Sequence, residues 1–92
     1  MAYEVAFDDQ ADRQRRELPK AAWAELAAAL DGLVADPYSG PRYDPRLPPD
    51  FRTASFGAWG LLVYIIREKQ QRVVVLDIAW IACGSYRRAK QS

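Results

Sequence analysis

The chain has 92 residues, a formal net charge of +1, and 50% hydrophobic and 27% charged residues. This length predicts one domain spanning residues 1–92, and the near-neutral charge excludes a polycation that binds nucleic acid by overall charge. Histidine is absent and Cys83 is the one cysteine. These counts exclude imidazole catalysis and an intramolecular disulfide and argue against a zinc site, so we expect no metal or cofactor.

The first residues show no basic segment followed by a long apolar run, so we expect no signal peptide. No stretch of the sequence approaches 18 consecutive apolar residues, which argues against a membrane span and a membrane partner. A small secreted domain more often carries several cysteines. We therefore expect the chain in the reducing cytoplasm.

The first half of the sequence predicts a strand and two helices. Residues 3–7 alternate in the manner of a strand, and Asp8 or Asp9 can cap a short polar helix that ends near Arg16. Apolar residues then recur at three- and four-residue steps over 20–35, which predicts a long helix. Asp36-Pro37 should end this helix, because proline disfavours helical geometry in the residue before it.

The second half predicts a loop and three strands. Residues 37–50 contain five of the six prolines and predict an irregular loop, which we call the proline loop. Residues 51–56, 61–67 and 72–81 predict strands, and the last two are rich in β-branched residues. The polar residues 68–71 between them predict a hairpin loop.

The hairpin register predicts which strand residues share a face. If Glu68 opposes Gln71, then Tyr64 opposes Val75 and Leu62 opposes Asp77. One face is then continuously apolar and should meet the helices; it carries Leu61, Val63, Ile65, Val74, Leu76, Ile78 and Trp80. The other face should be the open one, and it carries Leu62, Tyr64, Ile66, Val73, Val75 and Asp77. A slip by one residue would exchange the faces.

The last ten residues, 83–92, form a basic C-terminal tail. Arg87, Arg88 and Lys90 give this tail a charge of about +3 with no acidic residue to offset it. The tail is short, and its pattern fits either a short helix or a disordered end.

The order of these elements, with the residues of 51–57, 61–66 and 73–78, resembles the RelE/ParE superfamily of bacterial toxins. Family members place an arginine in the second strand, a glycine turn after it and a tyrosine in the next strand. Arg52, Gly57 and Tyr64 fit that pattern, and the resemblance covers nearly the whole chain. It implies an α+β fold in which an N-terminal strand and a helical hairpin pack on a small antiparallel sheet.

The resemblance also implies a function. It indicates the toxin of a type II toxin–antitoxin system, which inhibits growth by ribosome-dependent mRNA cleavage or by inhibiting DNA gyrase. The implied partners are a cognate antitoxin and either the ribosome with its mRNA or DNA gyrase. The candidate site residues are Arg52 and Tyr86 for catalysis, Arg87, Arg88 and Lys90 for nucleic-acid binding, and Tyr64 and Asp77 on the open sheet face.

Each candidate has a purely structural interpretation. Arg52 could be a strand-edge arginine that is solvated or paired with an acid, and Tyr86 could anchor the C-terminus on the sheet. Gly60 and Leu61, and residues 80–82, also stand where relatives often have basic residues. Two alternatives follow: a protein-binding module of the same fold without catalysis, and an unrelated small α+β domain.

Overall fold

The computed structural model describes residues 3–57, 60–82 and 85–88. In chain order the elements are β1 (Glu4–Phe7), α1 (Asp9–Arg16), α2 (Lys20–Ala35), β2 (Phe51–Phe56), β3 (Gly60–Arg67), β4 (Arg72–Ala82) and β5 (Ser85–Arg88). The α+β fold with two helices packed on a sheet is confirmed. No helix in these residues is long and apolar enough to cross a membrane.

The two helices begin and end where the sequence predicts. Asp8 is the N-cap of α1, and its carboxylate accepts from the Ala11 N–H at 2.9 Å. Helix α2 ends at Ala35, and its C-cap Asp36 stands in front of the proline that cannot continue the helix. Its apolar stripe is buried against the sheet through Ala22, Leu26, Leu30 and Leu33. This burial holds the helical hairpin on one face of the sheet.

The sheet has the order β1-β4-β3-β2, and β5 also pairs with β4. Strands β2, β3 and β4 are antiparallel neighbours, whereas β1 runs parallel to β4, so the sheet is mixed. β4 is long enough to pair with two other strands along one of its edges. β1 pairs with residues 72–75 and β5 with residues 79–82. Residues 76–78 lie between these two partners.

A β-bulge interrupts the pairing of β3 with β4. Tyr64 opposes Val75, as predicted, but Val63 opposes Asp77 and Leu62 opposes Ile78. The predicted pairing of Leu62 with Asp77 is therefore wrong, because Leu76 is an extra residue in β4. Without the bulge, Asp77 would take the place of Ile78 on the buried face, where an unpaired carboxylate is costly.

The predicted assignment of the two faces is wrong for β3 and for the first half of β4, whereas Ile78 and Trp80 pack in or against the core as predicted. Tyr64 is fully buried, and it packs with the helices in a core that also contains Leu62, Ile66, Val73, Val75 and Ile78. Leu61, which was expected to meet the helices, is 43% exposed. Both faces of the hairpin are apolar, so composition does not select between them. Burial of Tyr64 is tolerated because its hydroxyl donates to the Pro37 carbonyl oxygen at 2.5 Å.

The basic tail also differs from the expectation of a helix or a disordered end. Residues 85–88 form β5, in which Tyr86 pairs with Ile81 and Arg87 with Trp80. The outer edge of β4 beyond residue 78 offers unpaired backbone groups, and β5 satisfies them. Lys90 and Cys83 lie outside the described residues.

Candidate functional site

Arg52 lies on β2 opposite Tyr64 and is fixed by backbone carbonyl groups of the proline loop. Its Nε donates to the Pro49 carbonyl oxygen at 2.7 Å, and its Nη1 donates to the Gly40 carbonyl oxygen at 2.9 Å. The guanidinium also lies over the Tyr38 ring, 5.4 Å from its centroid. Arg52 therefore joins both ends of the loop, a structural role that neither the solvated nor the acid-paired interpretation anticipates.

Two further contacts fix the start of the proline loop. Tyr64 binds the Pro37 carbonyl, and burial raises the pKa of the Tyr64 phenol. The Tyr3 and Tyr38 hydroxyls both donate to one carboxylate oxygen of Glu68, at 2.8 and 2.9 Å. These hydrogen bonds lower the pKa of the Glu68 carboxyl, and the bond to Glu68 raises the pKa of Tyr38 to about 12. The loop is thus held in one arrangement from several sides.

The basic strand β5 lies at the opposite edge of the sheet. In the register of the sheet, two rows of directly paired residues run across β2, β3, β4 and β5. The rows are Phe56–Gly60–Trp80–Arg87 and Ser55–Leu61–Ala79–Arg88. The β2, β3 and β4 members of both rows are uncharged. Arg87 and Arg88 are therefore the only cationic residues in these rows, and any phosphate bound there depends on β5 and the residues that follow it.

The structure does not bring Arg52 and Tyr86 together. β2 and β5 are separated by β3 and β4, and neighbouring strands lie about 4.8 Å apart. Along the strands, Arg52 is level with Val75, whereas Tyr86 is level with Ile81. At about 3.3 Å per residue, their backbones are roughly 20 Å apart or more. Arg52 and Tyr86 are therefore not neighbours on the sheet.

Tyr64 and Asp77 do not form the predicted open-face pair. Tyr64 is in the core, and Asp77 lies at the bulge, where its Oδ1 accepts from Gln10 Nε2 at 3.1 Å and from Gln14 Nε2 at 2.8 Å. The carboxylate is therefore held by α1. Asp77 serves the packing of α1 against β4, which the sequence-based register could not show because it lacked the bulge.

Sequence reasoning gave no role to the side chains of the proline loop or to Gln14. Tyr38 and Tyr43 are 43% and 53% exposed, and Arg42 braces the loop by donating to the Leu47 carbonyl oxygen at 2.7 Å. Gln14 is the one buried polar side chain among the described residues. The prolines predicted the loop but not the contacts of its side chains, and nothing local distinguishes Gln14 in a polar helix.

The chemistry available at β5 is limited. Among the described residues, no group of three carboxylate or cysteine side chains is placed to hold a metal ion. The rows beside Arg87 and Arg88 contain the Ser55 hydroxyl but no carboxylate, lysine or tyrosine outside β5. A proton acceptor for RNA cleavage would have to come from Tyr86 or from residues beyond β5. Binding of a polyanion without cleavage, in contrast, requires only cationic side chains such as those of β5.

Comparison with known proteins supports the fold. No protein-family model and no curated protein matches the chain. The RelBE2 toxin–antitoxin complex from Mycobacterium tuberculosis is similar, with a TM-score of 0.75 and 24% identity, over 87% of this chain and 92% of that one. The E. coli toxin RelE bound to a RelB peptide has a TM-score of 0.72 and 23% identity, over 85% and 82%.

An archaeal relative extends the comparison to the whole chain. The RelE–RelB complex from Pyrococcus horikoshii has a TM-score of 0.62 and 15% identity, over 100% of both chains. Elements and topology are thus shared at low sequence identity. The fold that the resemblance implies is confirmed, and this chain has the fold of these RelE toxins.

Proposed function

We propose that this chain is the toxin of a bacterial type II toxin–antitoxin system and acts in the cytoplasm. The main support for this proposal is the fold, because the similar solved structures are RelE toxins, several of them in complex with RelB antitoxins. The basic strand β5 supports the proposal, since Arg87 and Arg88 lie at an edge whose neighbouring rows are uncharged. The cognate antitoxin would cover this edge and the basic tail.

A cognate antitoxin is the first thing to test. The proposal predicts a neighbouring reading frame of roughly 60–100 residues with an acidic C-terminal half that can neutralise the basic tail. Co-expression of its product should yield a complex that co-purifies with this chain and restores growth. If no neighbouring product binds the chain or restores growth, the proposed system is contradicted.

The molecular target is either mRNA on the ribosome or DNA gyrase. Arg52 is engaged with the proline loop and lies far from Tyr86, so the two residues do not provide a joint site for cleavage. We therefore favour growth inhibition through binding of a target over RNA cleavage. Primer extension on mRNA, with and without ribosomes, should show no new 5′ ends, and a gyrase supercoiling assay should show inhibition. Ribosome-dependent cleavage would reverse this preference.

The second candidate is a protein-binding module of the same fold without toxic activity. The uncharged residues Gly60, Leu61 and Trp80, in the rows that meet β5, favour it. This alternative predicts that the chain binds its partner but does not inhibit growth when expressed alone. It also predicts that Arg52→Ala and Tyr86→Phe leave any activity of the chain unchanged. A large loss of that activity in a folded variant would exclude this alternative.

A further inference from the structure

Gln14 occupies the gap between β1 and β5 on the outer edge of β4. Its side chain is 3% exposed and makes two hydrogen bonds to neighbouring residues of the bulge. Its Oε1 accepts from the Ile78 backbone N–H at 2.8 Å, and its Nε2 donates to Asp77 Oδ1 at 2.8 Å. One buried amide thus satisfies a backbone group that no strand can reach there and also binds the adjacent carboxylate.

The bulge determines which β4 residues meet β5 on each face of the sheet. Because Leu76 is extra, Ile78 and Trp80 join the buried face, and Asp77 leaves it. Trp80 opposes Arg87 and Ala79 opposes Arg88. Without the bulge, every residue from 77 to 82 would exchange faces, and the β5 residues paired with them would follow.

We propose that Gln14 is a positioning residue for the basic strand: by binding Ile78 and Asp77 it fixes the bulge that sets the register of residues 77–82, with which Arg87 and Arg88 pair. This inference rests on the proposed function for its biological meaning, but its structural part is independent of it. Gln14 does not touch the target. It acts through the register of β4, and its loss should alter β5 more than the rest of the sheet.

The matched variants are Gln14→Met and Gln10→Met in the full chain. Methionine keeps the length of the side chain but removes both hydrogen bonds of Gln14, whereas Gln10 donates to Asp77 at an exposed position. In Gln14→Met, amide exchange at Ile78 should accelerate at least about tenfold relative to Val73, because a buried hydrogen bond is lost. The cross-strand nuclear Overhauser effects between Leu62 and Ile78 should weaken, and those between Tyr64 and Val75 should persist.

A second pair of variants, which exchanges the two side-chain groups, keeps the test decisive if Gln14→Met fails to fold. Gln14→Glu alone places a carboxylate against Asp77, whereas Gln14→Glu combined with Asp77→Asn exchanges the amide and the carboxylate. The double variant should recover the Leu62–Ile78 contacts that Gln14→Glu loses. Uniform loss of exchange protection across β3 and β4, or no recovery in the double variant, would show that Gln14 only contributes stability and would overturn the proposal.

Growth arrest connects this positioning to function. If the wild-type chain arrests growth, Gln14→Met should lose arrest and Gln10→Met should keep it, at equal expression. Full arrest by a Gln14→Met variant whose Leu62–Ile78 contacts are lost would overturn the link to activity. If the wild-type chain does not arrest growth, the proposed function fails, and the exchange and contact measurements still decide whether Gln14 sets the register.

Discussion

Replacement of Arg52 separates its structural role from a catalytic one. Arg52→Ala removes two well-formed hydrogen bonds to loop carbonyls, at 2.7 and 2.9 Å, and the contact over the Tyr38 ring. For this partly exposed guanidinium we take about 1 kcal/mol for each hydrogen bond and about 0.5–1 kcal/mol for the ring contact. The sum is about 2–3 kcal/mol, which in a domain of this size lowers Tm by roughly 10–20 °C.

Differential scanning calorimetry on purified variants measures this effect. Arg52→Lys should recover only part of the loss, because one ammonium group cannot reproduce the arginine fork. Arg46→Ala is the matched control, since Arg46 is exposed in the same loop and pairs only with Asp44. Its Tm should change by no more than about 2 °C. A Tm of Arg52→Ala within about 3 °C of the wild type would refute the structural role that we assign to Arg52.

Three further predictions concern the core and the loop contacts. Tyr64→Phe removes the donor to the Pro37 carbonyl and should lower the free energy of unfolding by about 1–2 kcal/mol in urea titrations; unchanged stability would contradict the contact. Gly60→Ala would place a methyl group 2.5 Å from the buried Phe56 ring and should cost about 1–3 kcal/mol, whereas Gly32→Ala meets nothing within 4 Å and should stabilise α2. The pKa of the Glu68 carboxyl is lower in the folded protein than in the unfolded chain, where it is near 4.5. Ionised Glu68 therefore stabilises the fold above about pH 4.5, and this contribution is lost as the pH falls through the pKa of the folded protein. The stability difference between wild type and Glu68→Gln should therefore be constant from about pH 6 to 8 and shrink below about pH 4.5, and a difference that does not change with pH would contradict this coupling.

Local sequence signals predicted the elements well. Helix α2 and strand β2 begin and end where predicted, because prolines flank the helix and the proline loop precedes the strand. The pairing of Tyr64 with Val75 follows from the polar hairpin loop between β3 and β4. These features depend on residues close together in the chain, so one sequence is enough to locate them.

Features that depend on distant contacts were not predictable. The apolar run of β4 gives Leu76 no local sign that it is an extra residue, and the bulge is satisfied by Gln14, 64 positions away in the chain. The faces were reversed because both sides of the hairpin are apolar. The contacts of Arg52 to the proline loop were not predicted, since the carbonyl groups that hold it come from a loop whose path the sequence does not specify.

The most direct test of the central claim is the viable count of bacteria after induced expression of this chain alone. The account predicts growth arrest by the wild type, and a loss of arrest when Arg87→Ala, Arg88→Ala and Lys90→Ala are combined at equal expression. Backbone pairing of β5 with β4 does not depend on these side chains, so circular dichroism should confirm an unchanged fold. Normal growth on expression of the wild-type chain in several bacterial hosts would contradict the proposal that this RelE fold is a toxin.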